Sequence, residues 1–367
     1  MLTMNKIQEI MNGLNNKYYE RSGEIEALLI GMLARQHVLF IGDAGTGKSM
    51  LSAELNNIVE GSNYFQWLLN QFSTPDEIFG VLDLKHLEQG IYKRNTEKKM
   101  PEAHFAFLDE IFKANSAILN SLLTIINERV FYNNGSPVKT PLMSIVGSSN
   151  EYPEEGEGLE ALFDRFLLRY EVGYIKEESS FISMLKEDTG SIETPKITMN
   201  ELDIYQMEVD FVSIPDDVFH ILAEIRQDLA DAGIRPSDRR FKQSLSLLKA
   251  KAFIDGRNQV LKKDIKLLKN ALWVSPDQQE VTQDIVLEYA SNLHENQFEA
   301  ILQDYTDLSR EFAKSDSTSK RQEIMKKFNA ILGELRALKI EDEAKKARTI
   351  NEINEQMVAF SQDVVQF

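Results

Sequence analysis

Three short segments hold residue types whose order could handle a triphosphate. Gly42-Asp43-Ala44-Gly45-Thr46-Gly47-Lys48-Ser49 has the spacing of a phosphate-gripping loop. Glycines let backbone N–H groups turn inward, Lys48 sets a point charge between the β- and γ-phosphates, and the Ser49 hydroxyl can ligate Mg²⁺. Asp109-Glu110 closes the apolar run Phe105-Ala-Phe-Leu108. Asp109 can hold the Mg²⁺ shell through water, and Glu110 can polarise the water that attacks the γ-phosphate. Gly147-Ser-Ser-Asn150 ends a third apolar stretch. An amide there can orient that water or touch the γ-phosphate, although it cannot act as an acid or base. In this order Asn150 reads as the first sensor of an ATPase.

These residues need a scaffold that brings them to one edge. His37–Ile41, His104–Leu108 and Leu142–Val146 are short apolar runs that suit strands buried on both faces. Helical spacing fills Ser49–Val59 and Ala114–Glu128 between them. The alternation predicts a three-layer α/β domain with a largely parallel sheet over 1–177, its ligand crevice beyond the carboxyl ends of the strands. A small all-helical domain is predicted over 178–278, with helices at Asp216–Ala232, Asp238–Ile254 and Lys263–Leu272. A helical C-terminal extension over 279–367, a hairpin or bundle, is interrupted by the polar stretch Lys314–Ser319. Val130–Val138 reads as a hairpin with an Asn-Gly turn.

Composition narrows the function classes. Lys and Arg number 41 against 58 Asp and Glu, a net charge of −17 that argues against a general nucleic-acid binder. There are 0 cysteines, which removes disulfides, thiolate metal sites and cysteine nucleophiles. The five histidines show no paired ligand spacing, so no metal beyond Mg²⁺ is expected. No apolar run reaches membrane-spanning length and the N-terminus lacks a signal pattern, so the expectation is a soluble cytoplasmic protein.

Longer segments carry a family resemblance. Phe72-Ser-Thr-Pro-Asp-Glu-Ile-Phe-Gly80, Phe107-Leu-Asp-Glu-Ile-Phe-Lys-Ala114, Ile118 to Arg129 and Leu159-Glu-Ala-Leu-Phe-Asp-Arg165-Phe resemble the MoxR branch of the AAA+ ATPases. Tyr19-Glu20-Arg-Ser22 and Pro236-Ser-Asp-Arg-Arg-Phe241 are similar to its RavA group. The resemblance covers about residues 1–276 and implies a homo-hexameric ring with ATP between subunits. It implies nucleotide-base contacts near Tyr19 and Glu20, with ATP and GTP both left open. It further implies that Arg165 is an arginine finger reaching a neighbour's site, with Arg169 competing if the helix continues. Arg239 resembles a second sensor acting in cis, with Arg240 as its rival. The hairpin and the Val81–Pro101 insertion resemble features of the same clade. Residues 279–367 are too short and too helical to hold the RavA group's β-rich insertion. The implied partner is then the more general one, a protein with a von Willebrand factor A domain. Two activities follow from the resemblance: a ring ATPase that remodels or activates a protein, or a nucleotide-gated scaffold. A chelatase-type motor subunit is a further alternative.

Overall fold

In the computed structural model, which describes residues 2–153, 158–186, 192–290 and most of 298–338 and 343–365, the chain resolves into two compact units, 1–286 and 287–367. Helices α1 (Leu2–Lys17) and α2 (Ser22–Ala34) precede strand β1 (Val38–Ile41), and α3 (Lys48–Ile58) leads into β2 (Val59–Glu60) and β3 (Tyr64–Leu68). The short helices α4 (Pro75–Phe79) and α5 (Leu84–Leu87) come before β4 (Phe105–Asp109). Then follow α6 (Ser116–Glu128), the hairpin β5 (Val130–Asn133) and β6 (Ser136–Lys139), β7 (Ser144–Ser149), α7 (Glu160–Arg165) and β8 (Leu168–Glu171). The rest of the unit is α8 (Glu178–Lys186), β9 (Ile197–Thr198), α9 (Met199–Phe211), α10 (Asp216–Asp231), α11 (Asp238–Ile254) and most of α12 (Gln279–Ala290).

Five strands form one parallel sheet in the order β3-β4-β7-β1-β8. The central strands β1, β4 and β7 are buried along nearly their whole length, which is why they stand out as apolar runs. Because all five run the same way, Ile41, Asp109 and Ser149 end at one edge of the sheet and the loops after them converge there. Helices α6 and α7 cover one face, packing Ile118, Leu122, Ile125, Leu162 and Phe163 with Leu39, Ile41 and Leu108. Helix α2 covers β1, β7 and β8, and α11 packs on α2 and α9, so the helical region closes onto the sheet domain.

The structure differs from the sequence expectation in several places. Strands β3 and β8 lack a clean apolar run: β3 is an edge strand with Gln66 exposed, and β8 carries Arg169. Helix α7 stops at Arg165, and Phe166 is already extended (φ −81°, ψ 101°), so no helix continues to Arg169. A two-residue strand, β9, pairs with β2 where only helices were expected. Lys262–Asn270 is a 3₁₀ helix. The boundary to the second unit falls within α12 instead of before it.

The hairpin turns at Asn134 and Gly135, both with positive φ (54° and 71°), as its Asn-Gly sequence demands. It is tied to the Val81–Pro101 insertion: the Arg94 and Tyr92 backbone N–H groups donate to the side-chain oxygens of Asn133 and Asn134. The second unit contains α13 (Thr318–Ala337) and α14 (Glu343–Val365). Its own core unites Phe298, Tyr305, Phe312, Ile324, Phe328, Leu335, Ile353 and Met357. Of the polar stretch Lys314–Ser319, residues 314–317 lie outside the described residues.

Candidate functional site

The loop Gly42–Ser49 joins β1 to α3 at the carboxyl edge of the sheet. Gly42 is pressed against the chain following β8: a Cβ there would lie 2.2 Å from the Val172 carbonyl oxygen. Gly45 and Gly47 have positive φ (82° and 87°), and a Cβ on either would enter open space. Gly47 is also the N-cap of α3, so that helix directs its positive end into the loop. Thr46 is buried and its hydroxyl donates to the Asp43 carbonyl, bracing the turn, whereas Asp43 and Ala44 are exposed.

Lys48 is buried beneath the loop. Its ammonium donates to the carbonyl oxygens of Gly42 and Asp43 and, at 3.3 Å, to Asn150 Oδ1. Burial pushes its pKa below the usual lysine range, while Asp109, Glu110 and Asp43 pull the other way. Asn150 turns its amide nitrogen to Glu110 Oε1 at 2.6 Å, and Lys113 pairs with Glu110 Oε2 at 3.1 Å. Asp109 accepts hydrogen bonds from the Ser148 hydroxyl and the Glu110 backbone N–H. One amide thus bridges the loop lysine and the second carboxylate, uniting three segments recognised separately in the sequence.

The donor set fits a Mg²⁺–nucleotide. A glycine loop whose Cβ positions are open, a buried lysine and a helix N-terminus together suit a polyphosphate. Ser49, the second residue of α3, and Asp109 would be the residues to hold the ion, each through a side-chain oxygen. Mg²⁺ takes one or two protein oxygens and completes its shell with phosphates and water. Among the described residues there is no group of three or more His, Cys, Asp or Glu that could hold a metal ion unaided.

The N-terminal segment braces this edge. Arg21 Nη2 donates to the carbonyls of Thr46 and Gly173, and the Tyr174 hydroxyl to Ala44. Glu20 has a positive φ of 54° and its carboxylate accepts from the Lys176 and Glu177 N–H groups, which hold its pKa below the usual range. Its side chain therefore clamps 176–177 to the N-terminal segment; half-buried Tyr19 precedes it. A cleft of about 610 Å³ opens beside Asn70–Phe72, Phe112–Asn115, Ser149 and Tyr152.

The four arginines separate sharply. Arg169 is buried, stacked 4.0 Å from the Phe163 ring centroid and 4.9 Å from that of Trp273, and donates to the carbonyls of Phe163, Phe166 and Trp273. It cannot reach another molecule, which removes it as a finger. Arg240 is equally buried and bonds the carbonyls of Ala271, Asp164, Phe166 and Leu167. It is a structural tie, and burial lowers its pKa to about 10. Arg165 and Arg239 keep solvent access. Arg165 pairs with Asp164 at 3.0 Å, and Arg239 donates to Asn127 Oδ1 at 2.9 Å. Burial, with the neighbouring charge of Arg239, lowers the Arg165 pKa.

The cis placement of Arg239 is corrected by this geometry. Asn127 lies in the last turn of α6, and Arg240, the residue after Arg239, bonds the carbonyls just ahead of β8. Both lie at the amino-terminal edge of the parallel sheet, opposite the phosphate loop. The sequence contained no signal for this, since neighbouring arginines on one helix look alike until their surroundings are known. Trp273 anchors Arg169 from 104 residues away.

A family model for the MoxR domain of MoxR–vWA–β-propeller ternary systems matches residues 5–209, and one for the AAA lid domain matches 217–286. The chain belongs to the MoxR family of AAA+ ATPases. It is 37% identical over 295 residues to one uncharacterized protein of Methanocaldococcus jannaschii (79% of this chain, 77% of that one) and 38% identical over 278 residues to another (74% and 72%). The chaperone MoxR1 of Mycobacterium tuberculosis is 30% identical over 158 residues, 42% of this chain and 41% of that protein. A crystal structure of a candidate ATPase from Cytophaga hutchinsonii shares the fold, with a TM-score of 0.65 at 18% identity, covering 79% of this chain and 96% of that one. No helix among the described residues of this MoxR-family chain is long and apolar enough to cross a membrane.

Proposed function

We propose that the chain is a Mg²⁺-dependent ATP hydrolase that works as a ring and uses turnover to remodel or activate a protein partner. The observation that carries this reading is the bridge from Lys48 through Asn150 to Glu110, which links phosphate grip to water activation. In this reading the loop N–H groups and Lys48 hold the β- and γ-phosphates, and Ser49 and Asp109 hold Mg²⁺. Bound Mg²⁺ would neutralise charge developing on the γ-phosphate. Glu110 accepts a proton from the attacking water while Asn150 fixes the direction of the Glu110 carboxylate. Arg165 and Arg239 share one edge of the chain, opposite its own loop, and serve the loop of a neighbouring copy. The partner is a protein with a von Willebrand factor A domain, consistent with the kind of system for which the matching family model is described.

Glu110→Gln tests the reading. The amide keeps the size of the side chain but cannot take the proton, so turnover should fall by about 10²–10⁴, the usual worth of a general base, with ATP still bound. Unimpaired hydrolysis in that variant refutes the assignment.

A further inference from the structure

Strand β4 runs into a single turn of 3₁₀ helix, Ile111–Lys113, with Glu110 as its N-cap. Glu110 takes φ 52° and ψ 47°, the left-handed region that a non-glycine residue seldom occupies. Ile111 and Phe112 are buried in the core of the sheet domain, which gives the turn a fixed frame. Residues three apart in a 3₁₀ turn eclipse one another, and the Lys113 N–H closes this one on the Glu110 carbonyl at 2.9 Å. The order Glu110-Ile-Phe-Lys113 therefore stands the lysine ammonium over the glutamate carboxylate.

The two oxygens of that carboxylate differ. Oε1 accepts from the Asn150 amide at 2.6 Å, whereas Oε2 is shut off from solvent and accepts no hydrogen bond. The Lys113 ammonium lies 3.1 Å from Oε2, an ion pair without a hydrogen bond. Lys113 has no other ion-pair partner among the described residues, and its side chain is 47% exposed on the wall of the cleft beside Phe72 and Tyr152. Lys48, also near this carboxylate, is occupied with the carbonyls of Gly42 and Asp43 and with Asn150. Stability is a weak account of Lys113, because a pair with one partner this exposed contributes little to it.

We infer that Lys113 is a positioning residue that restrains the general base and so sets the basal rate of hydrolysis. The inference rests on the proposed function, since it takes Glu110 as that base. In the step, the water oxygen bonds the γ-phosphorus, the bond from that phosphorus to the ADP oxygen breaks, and the water's proton passes to the carboxylate. Oε1 is committed to Asn150, so Oε2 has the lone pair that receives the proton. A proton arriving there meets the positive charge of Lys113 and dissolves the ion pair. The restraint is therefore felt in turnover, while the phosphate grip made by Lys48 and the loop is unaltered.

The test is steady-state hydrolysis by the full chain across ATP concentrations with Mg²⁺ in excess, at protein concentrations where sedimentation gives every variant the wild-type mass. Lys113→Met and Lys113→Gln remove the charge and should raise kcat about three- to tenfold, with KM within about twofold of wild type. Lys113→Arg keeps the charge and should bring kcat back towards wild type. In the Glu110→Gln background Lys113→Met should add nothing, because it acts through the carboxylate. A kcat that is unchanged or lower in both neutral variants overturns the inference. So does an equal rise in Lys113→Arg or in the Glu110→Gln background. The two readings fail differently: wild-type turnover by Glu110→Gln refutes the proposed function, whereas lost turnover there with no gain in Lys113→Met overturns the restraint alone.

Discussion

Replacing Arg169 with alanine separates the structural account of that residue from the reading of it as a finger. The change leaves the carbonyls of Phe163, Phe166 and Trp273 without their donor and empties the space between two rings. Each orphaned buried acceptor costs about 1–3 kcal/mol. Against this, no carboxylate among the described residues hydrogen-bonds the guanidinium, whose burial is itself unfavourable, so its removal returns part of the loss. The net destabilisation should be about 3–5 kcal/mol, the lower part of the roughly 3–9 kcal/mol that three orphaned acceptors would cost. For a cooperative unit of this length each kcal/mol moves Tm by about 2 °C, so calorimetry of the full chain should show a fall of about 6–10 °C. Nucleotide affinity measured well below that transition should stay near wild type. An unchanged Tm, with hydrolysis lost and then rescued by mixing with a loop-defective subunit, would refute the reasoning.

Two further outcomes follow. Arg239→Ala and Lys48→Ala should each abolish hydrolysis, and mixing them should restore part of it, because an intact loop then meets an intact arginine on its neighbour; a cis arginine gives no rescue. His37 is fully buried, and desolvation, helped by Arg129, holds its pKa well below the usual 6.5. The unfolded chain takes up a proton near pH 6.5 that the folded chain refuses, so this stability is whole above pH 6.5 and drains as pH falls. Chemical denaturation between pH 7 and 5 should show a loss approaching about 1.4 kcal/mol per pH unit that His37→Gln lacks; equal slopes in the two proteins would sink this assignment.

Residues that make the phosphate edge could be read from sequence because each sits in a local signal. Glycines at fixed offsets specify the loop, and an apolar run ending in Asp109-Glu110 specifies a strand buried on both faces. Asn150 followed from its order after the third run. What resisted was long-range pairing. Arg169 breaks the apolar run of β8, and only the Trp273 and Phe163 rings, brought together by packing, make an arginine tolerable there. Arg239 and Arg240 differ by about 100° on one helix, and which of them faces out depends on carbonyls more than 70 residues away. The edge strand β3 mixes polar and apolar residues because one side meets water.

The division of each chain into a loop edge and an arginine edge gives it a polarity. In the proposed ring one edge would receive a neighbour's side chains and the other would lend its own, so the nucleotide state of one copy would be felt by the next in only one rotational sense. On that proposal an isolated chain would hold half of two different sites and all of neither. Turnover should then rise more steeply than in proportion to concentration, so that the amount of protein present acts as a switch.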